Sequence, residues 1–521
     1  MGYIICTEIL SAFRITLYYH LLQKKRTMNY SKKLILLVYI GICFCKVFAQ
    51  NPNIILIMSD DQGWYDVGFN GNNEIRTPNI DKLATKGVIF DRFYSASAVC
   101  SPTRASVITG RNPLRINVPT ANEGHMKVEE ITLPEILKER GYSTGHFGKW
   151  HLGTLTQLTI DSNRGGKEKF LKDYSIPTMH GYDEYFCSES KVPTFDPMVY
   201  PSLFEKGESK HYGWRAVEDN ESTKLYGSAY WKGIEEKGTT NINGDDSRII
   251  MDRVTPFIEN SVKENKPFFT TVWFHTPHLP VVSDSIHRSY FSTMDLQKQI
   301  YYGTITAMDK QIGRLWSKLE ELDIQDKTII WFCSDNGPEK NTPGSAYVFR
   351  ERKRSLYEGG VRVPAFVIWI NHIKEGIRLD FPSVTSDYLP SILDILNINY
   401  PDNRPIDGES LWGLLQGEKK LREKPIGFLF RQKISWVNNQ YKLISVDNGE
   451  SFELYNLIND RAEKENIAQK QSEIVTKMKK GLFILLLGPL AFCNVKNIPI
   501  VEEMIAEYMR KNNTPAIALQ L

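Results

Sequence analysis

The chain has 521 residues, 41% hydrophobic and 12% aromatic, which is enough apolar mass for a large core and excludes a disordered tract. Its formal net charge of +3 is near neutral for this length, and Lys and Arg are spread along it, which argues against a nucleic-acid-binding protein. Length alone allows about two to four domains, or one large domain with a smaller companion.

Residues 1–49 read as a signal-peptide region. Met28 to Lys33 is basic, Leu34 to Cys45 is apolar, and Val47-Phe48-Ala49 fits a small-residue cleavage site, so the mature chain begins near Gln50. Lys24-Lys25-Arg26 lies upstream of Met28, which reads as the true start. The expectation is an exported protein, periplasmic or secreted, with no stable membrane span. Beyond the leader remain Cys100, Cys187, Cys333 and Cys493, which imply no disulfide framework. Cys187 and Cys333 read as small buried side chains.

Asn53 to Met58 is a continuous apolar run, as in a strand buried on both faces of a parallel sheet. It ends at Ser59-Asp60-Asp61-Gln62-Gly63, which reads either as a turn or as a ligand-bearing strand end of an α/β fold. Thr77 to Ala84 is a capped helix pattern, and Val88-Ile89-Phe90 a short strand. Cys100 to Arg111 follows. Ser101 can act as an N-cap, Pro102 fits the first helical position, and Gly110 supplies the stop. Cys100 then sits just ahead of a helix N-terminus, a place suited to a tetrahedral anion, with Arg104 able to reach back to it. A buried cysteine at a helix start is an equal reading of the same residues.

A helix is expected around Thr132 to Arg140. Tyr142 to Phe147 is a strand running into Gly148-Lys149-Trp150-His151-Leu152-Gly153. If the chain stays extended there, Lys149 and His151 share a face, suited to an anion's oxygens and a leaving group. A solvated lysine and a packed histidine are the alternative. Residues 155–250 read as a long irregular insertion. Asp183, Glu184, Glu189, Lys191, Asp196, Trp214 and Trp231 are sugar-contact candidates within it, or surface-loop residues. Ile249 to Val262 is helical, and Pro267 to Phe274 is a buried strand ending at His275-Thr276-Pro277-His278. The prolines forbid a helical zinc pair, so these histidines read as an acid, a base or an anion contact. Tyr301 to Asp323 is a long amphipathic helix. Thr328 to Cys333 is the next buried strand, ending at Ser334-Asp335-Asn336-Gly337.

Asp60, Asp61, Asp335 and Asn336 thus gather oxygen donors at strand ends, which points to a hard divalent cation. Three carboxylates without a cation would repel one another. Such a cation polarises an oxygen of a bound anion and orients an attacking hydroxyl. Calcium tolerates the set better than magnesium. Further on, Val363 to Trp369 reads as a strand, and Ser386 to Leu396 and Gly408 to Leu415 as helices. Short strands at 426–430, 434–437, 441–445 and 452–457, with a helix near 471–480, suggest a small antiparallel sheet. The apolar segment from Gly481 to Cys493 is too short to span a bilayer comfortably and resembles a second signal peptide. That suggests a frame-error fusion over 481–521, with a core-packed hydrophobic tail as the alternative.

Cys100-Ser101-Pro102-Thr103-Arg104 with Ala105 to Gly110 resembles the signature of the formylglycine-dependent sulfatases. The resemblance runs from about Asn51 to Ile467, around the 155–250 segment, and Glu453-Leu454-Tyr455-Asn456-Leu457 continues it. It implies an alkaline-phosphatase-like α/β fold: a large mixed, mostly parallel sheet flanked by helices, with a smaller C-terminal α+β subdomain carrying an antiparallel sheet. The implied domains are catalytic over 50–420 and C-terminal over 421–480. It also implies that a maturation enzyme oxidises Cys100 to formylglycine. One hydroxyl of the hydrated aldehyde attacks sulfur and expels the alcohol, and sulfate leaves as the aldehyde re-forms, which a plain thiol cannot do. By the same resemblance Asp60, Asp61, Cys100, Asp335 and Asn336 hold a metal, generally calcium, and Arg104 supports the diol. Lys149 and Lys353 bind sulfate, His151 assists the diol, and His278 is a leaving-group acid or sulfate contact. Glu351-Arg352 departs from the small residues usual before that second lysine, which puts the charge of its loop in doubt. The expected function is sulfate-ester hydrolysis on a sulfated carbohydrate. A phosphodiester or phosphonate hydrolase of the same fold, or a non-catalytic sulfated-glycan-binding protein, remains the alternative.

Overall fold

A computed structural model describes residues 51–204 and 213–492, with the backbone alone over 483–492. The leader reading for residues 1–49 and the tail beyond 492, including Cys493, lie outside the described residues. No helix among the described residues is long and apolar enough to cross a membrane.

The continuous apolar runs become the middle of a ten-stranded sheet. Its strands are β1 (Asn53–Ser59), β2 (Val88–Phe90), β3 (Ser143–Lys149), β4 (Glu184–Ser188), β5 (Tyr230–Gly233), β6 (Glu236–Gly238), β7 (Phe268–Trp273), β8 (Thr328–Ser334), β9 (Ala365–Ile368) and β10 (Ile377–Leu379). They lie in the order β10-β2-β9-β8-β1-β7-β3-β4-β5-β6. The central five, β8-β1-β7-β3-β4, are mutually parallel, and antiparallel pairs flank them. Both faces are covered, as a parallel sheet requires. Ile54, Leu56 and Met58 enter one core and Ile55 and Ile57 the other. The long helices Asp246–Lys263 and Leu296–Glu321 cover the second face. The fold class is therefore the one the sequence predicts.

Three stretches differ from expectation. The segment 155–250 is not all irregular: β4, β5 and β6 within it form one end of the main sheet. The run from Val363 breaks at Pro364, whose missing N–H cannot continue a ladder. Arg362–Val363 pairs in a small separate sheet, and β9 begins at Ala365. The helix expected from Gly408 shrinks to Trp412–Leu415.

C-terminal to this lies a four-stranded antiparallel meander: β11 (Ile426–Phe430), β12 (Lys433–Val437), β13 (Tyr441–Ser445) and β14 (Glu453–Asn456). Phe428, Phe430, Val437 and Ile444 pack with Tyr94, Val99 and Leu356 from the part of the chain that carries the ten-stranded sheet. Lys442, fully buried, lies 3.0 Å from both Glu358 Oε1 and Glu463 Oε1, and Arg422 forks onto buried Asp387. The closing helix is Ser472–Phe492, continuing past Lys480, with Met478 and Leu482 buried.

Candidate active site

Strands β8, β1, β7 and β3 are neighbours and parallel, so their carboxyl ends open on one edge. That places Asp60-Asp61, Asp335-Asn336, the His275–His278 loop and Lys149 together. The loops are fixed by backbone pairing. Asp60 N–H donates to Thr276 O at 2.9 Å, and Asp335 N–H to Ser59 O at 3.1 Å. Asp61 adopts a left-handed φ of 65° and donates its N–H to Asp335 Oδ1 at 3.1 Å. Gly337 must be glycine, because a Cβ there would meet Gly359 O at 2.0 Å. That contact seats the Asp335-Asn336 turn against the segment just beyond Lys353.

The signature helix spans Cys100–Thr109, every residue of it buried. It starts two residues earlier than expected: Val99 is the cap residue and Cys100 the first helical one. Thr103, rather than Ser101, closes the entry, with its hydroxyl bridging Ser97 N and O. Gly110 ends the helix in a left-handed conformation, as predicted. Cys100 Sγ lies 3.5 Å from Asp60 Oδ1. Burial, then the charge of Asp335, pushes the thiol up, so an unmodified Cys100 stays protonated and is a poor nucleophile.

Arg104 does not return to Cys100. Its guanidinium lies 2.7 Å from Asp335 Oδ2 and 3.7 Å from Asp60 Oδ1, donates to Lys149 O at 3.1 Å, and rests over Trp273. Lys149 Nζ is 2.7 Å from Asp60 Oδ2, and Lys353 Nζ is 2.5 and 2.8 Å from the two oxygens of Asp61. Three carboxylates thus face three cations. Burial would raise Asp60, but Lys149, then His278, Arg104 and Lys353, outweigh it and hold that carboxyl well below the usual range. Burial and the Asp60 charge push Asp335 up to about 7 against Arg104. Lys353 stays protonated, because Asp61 and its neighbours outweigh burial.

His151 leaves the extended backbone, at φ 56°, so simple alternation does not explain its placement. Its Nε2 is 2.9 Å from Asn122 Oδ1 and 3.3 Å from Ser190 Oγ, while buried Nδ1 has no partner among the described residues. Burial and the Lys149 charge keep the imidazole neutral. His278 donates Nδ1–H to Leu279 O at 2.7 Å, which turns Nε2 to within 3.7 Å of Asp61 Oδ2. His275 does not reach the site. It is fully buried, held by Asp246 Oδ2 at 2.9 Å and Ser188 Oγ at 2.6 Å.

Asp60, Asp61, Cys100 and His278 each present a ligand atom, all within 4.8 Å of one another. Asn336 adds an oxygen. Its Nδ2 donates to Asp61 Oδ1 at 2.7 Å, and its buried Oδ1 has no donor among the described residues. An oxygen-rich set with an orphaned amide oxygen fits a hard cation. Asp335 stands beside this group but is taken up by Arg104 and the Asp61 amide. A divalent cation added to an otherwise balanced cluster makes the site net positive, which suits an anionic ester.

Cys100, His151, His278 and Lys353 line one cavity of about 530 Å³. Of the sugar-contact candidates only Lys191 lines it. Glu189 stands behind, paired with Arg164 at 2.7 Å. Asp183 and Glu184 lie at the opposite end of β3 and β4, Asp196 accepts from Gly244 N–H, and Trp214 and Trp231 are buried. Asn122, Ser190 and Glu339 are site neighbours that sequence reasoning passed over. Ser190 follows the end of β4 and was legible as another strand end, whereas Asn122 carries no local signal. Arg352, the departure before Lys353, donates to the carbonyls of Glu339, Thr342 and Gly344 and so braces that loop without facing the cavity.

The family model for sulfatases matches residues 52–398, and that for the C-terminal part of N-sulphoglucosamine sulphohydrolase matches 348–485. The N-acetylgalactosamine-6-sulfatase of Sus scrofa is 31% identical over 406 residues, spanning 73% of this chain and 69% of that one. The steryl-sulfatase of Homo sapiens is 29% identical over 434 residues, spanning 75% and 73%. Among solved structures, Ps i-CgsB in complex with k-i-k-neocarrahexaose superposes with a TM-score of 0.70 at 25% identity, covering 90% of this chain and 99% of that one.

Proposed function

The chain belongs to the sulfatase family, and from that premise we propose that it removes sulfate from a sulfated carbohydrate, with Cys100 matured to formylglycine and a divalent cation, calcium before magnesium, beside it. The observation that carries this reading is Cys100 at the floor of a cavity walled by His151, His278 and Lys353, with Asp60 and Asp61 behind it. The carbohydrate is supported by the relatives, whose names include a sugar sulfatase and an oligosaccharide complex, and by the polar, cationic walls. The steryl-sulfatase shows that the family itself does not dictate a sugar.

Hydrated formylglycine supplies a hydroxyl nucleophile and a release step that a thiol lacks. Asp60, Asp61, Asn336 and the Cys100 position would hold the cation, with Asp335 and His278 adjacent, and the cation supplies charge neutralisation. The remaining work falls to the chain. Lys149 and Lys353, on opposite sides of the carboxylate pair, offer ammonium groups to sulfate oxygens. Arg104 fixes Asp335 and Asp60 and so the floor of the site. Neutral His151, with an unpartnered Nδ1, can take a proton, and His278 presents Nε2 toward the same space. Because Cys100 is only 2% exposed, its maturation enzyme has to act before the helix is packed. Export is supported by the basic and apolar run from Met28 to Ala49. We assign catalysis to residues 50–420 and a closing role to 421–480, with the tail over 481–521 left as a fusion candidate.

The test pairs 4-nitrophenyl sulfate with bis(4-nitrophenyl) phosphate on calcium-loaded, matured enzyme. A higher kcat/KM on the sulfate is expected. Preference for the phosphodiester would establish the phosphorus-directed alternative, and turnover of neither would favour a binding protein.

A further inference from the structure

The cavity above Cys100 carries more positive charge than one sulfate ester needs. Five basic side chains line it (Arg164, Lys191, Lys353, Arg354 and Arg431), and no carboxylate does among the described residues. Three have acidic partners: Arg164 has Glu189, Lys353 has Asp61, and Arg354 has Glu339. Lys191 and Arg431 make no ion pair with any described residue. Lys191 is exposed, but partial desolvation against the cavity wall, then the charges of Lys149 and Lys353, pull its ammonium below the usual lysine range, so it stands in a field that an anion would relieve.

Arg431 is placed at a backbone cost. It sits in the turn between β11 and β12 with φ 54°, a left-handed conformation that ordinarily goes to Gly or Asn. Its guanidinium lies over the ring of Phe430, 5.5 Å away, and its charge helps to pull the Lys433 ammonium down. A non-glycine residue held this way at the rim of a binding cavity is the kind of outlier that accompanies function. Lys191 follows β4 and Arg431 belongs to the C-terminal sheet, so the pair reaches the mouth from two separate parts of the chain.

We propose that Lys191 and Arg431 form a second anion subsite, so that the preferred substrate carries another negative group, a second sulfate ester or a uronate carboxylate, beside the sulfate that is removed. This inference rests on the sulfatase reading and narrows its substrate class.

The test is calorimetric binding to the calcium-loaded full chain. The probes are N-acetylgalactosamine 6-sulfate, N-acetylgalactosamine 4,6-disulfate, and a disaccharide with a uronate linked to N-acetylgalactosamine 6-sulfate. At least one doubly charged probe should bind tenfold or more tightly than the singly charged one, and which one does so separates sulfate from carboxylate. Lys191→Ala combined with Arg431→Ala should erase that advantage, and Lys191→Arg should keep it. Equal binding of all three probes within twofold, or an advantage that survives the double substitution, overturns the subsite. Loss of 4-nitrophenyl sulfate turnover in the wild type with the binding preference intact would instead count against the sulfatase reading alone.

Discussion

Replacing Lys442 by Met should destabilise the protein, and the loss should grow with pH. Lys442 is fully buried between Glu358 and Glu463, 3.0 Å from an oxygen of each. Arg362 Nη1, 3.1 Å from Glu358 Oε2, supplies the other positive charge, so two cations balance two carboxylates. Methionine fills the lysine stem but leaves one buried carboxylate unpaired, a defect worth about 3–5 kcal/mol. Burial already raises Glu463 from the usual 4.5 to about 7, with Lys442 opposing and Glu358 reinforcing the shift. Without Lys442 its folded pKa rises further, so the variant's native state keeps a proton above pH 7 that the unfolded chain has lost. The unfolded state then binds fewer protons, and stability falls with rising pH by about 1.4 kcal/mol per unit. In the wild type this group gives only the tail of such a slope, fading as pH rises above about 7. Urea unfolding of both proteins at pH 7 and pH 8 measures the difference. A loss under about 1 kcal/mol, or one equal at both pH values, would refute the account of this triad.

Four further outcomes follow from the same geometry. Chelation of divalent cations should lower Tm and added calcium restore it, since a site at a hundredfold its Kd adds about 2.7 kcal/mol; an unchanged Tm counts against a bound cation. Cys100→Ala should bring sulfate release from 4-nitrophenyl sulfate to background while the urea midpoint reports a change of only about 1–2 kcal/mol, the scale for trimming a small buried side chain. Asn122→Ala leaves His151 Nε2 only its longer contact to Ser190 and should lower kcat by about tenfold through misplacement, with circular dichroism unchanged; full activity would remove Asn122 from the positioning of His151. Lys353→Met should cut kcat/KM for the same ester by about a hundredfold or more, and an unaffected value would exclude a sulfate contact there.

The strands that carry the site were legible because burial on both faces leaves unbroken apolar runs. Asn53–Ser59, Phe268–Trp273 and Thr328–Ser334 each end in a polar loop, and adjacency in the sheet brings those loops together. The Cys100 helix was legible through its residues but not its first turn, because Val99 caps it with no side-chain bond and the entry is closed by Thr103 reaching back to Ser97, a contact that a local N-cap rule does not anticipate. The strands Glu184–Ser188, Tyr230–Gly233 and Glu236–Gly238 are short and mixed in polarity, so no periodicity announced them. Charge balance was hidden for another reason. Repulsion among Asp60, Asp61 and Asp335 was foreseeable, but that Lys149, Arg104 and Lys353 answer it needs hydrogen-bonded partners 89 to 292 residues apart to be seen together. The Glu358–Lys442–Glu463 triad and the Asn122–His151 pair are of the same long-range kind.

Peptide mass spectrometry on the tryptic peptide from Phe93 to Arg104, taken from active protein of the native host, tests the central claim most directly. The account predicts that the thiol-bearing carbon of Cys100 has lost its sulfur and become an aldehyde or its hydrate. An intact Cys100 thiol in fully active material would contradict it.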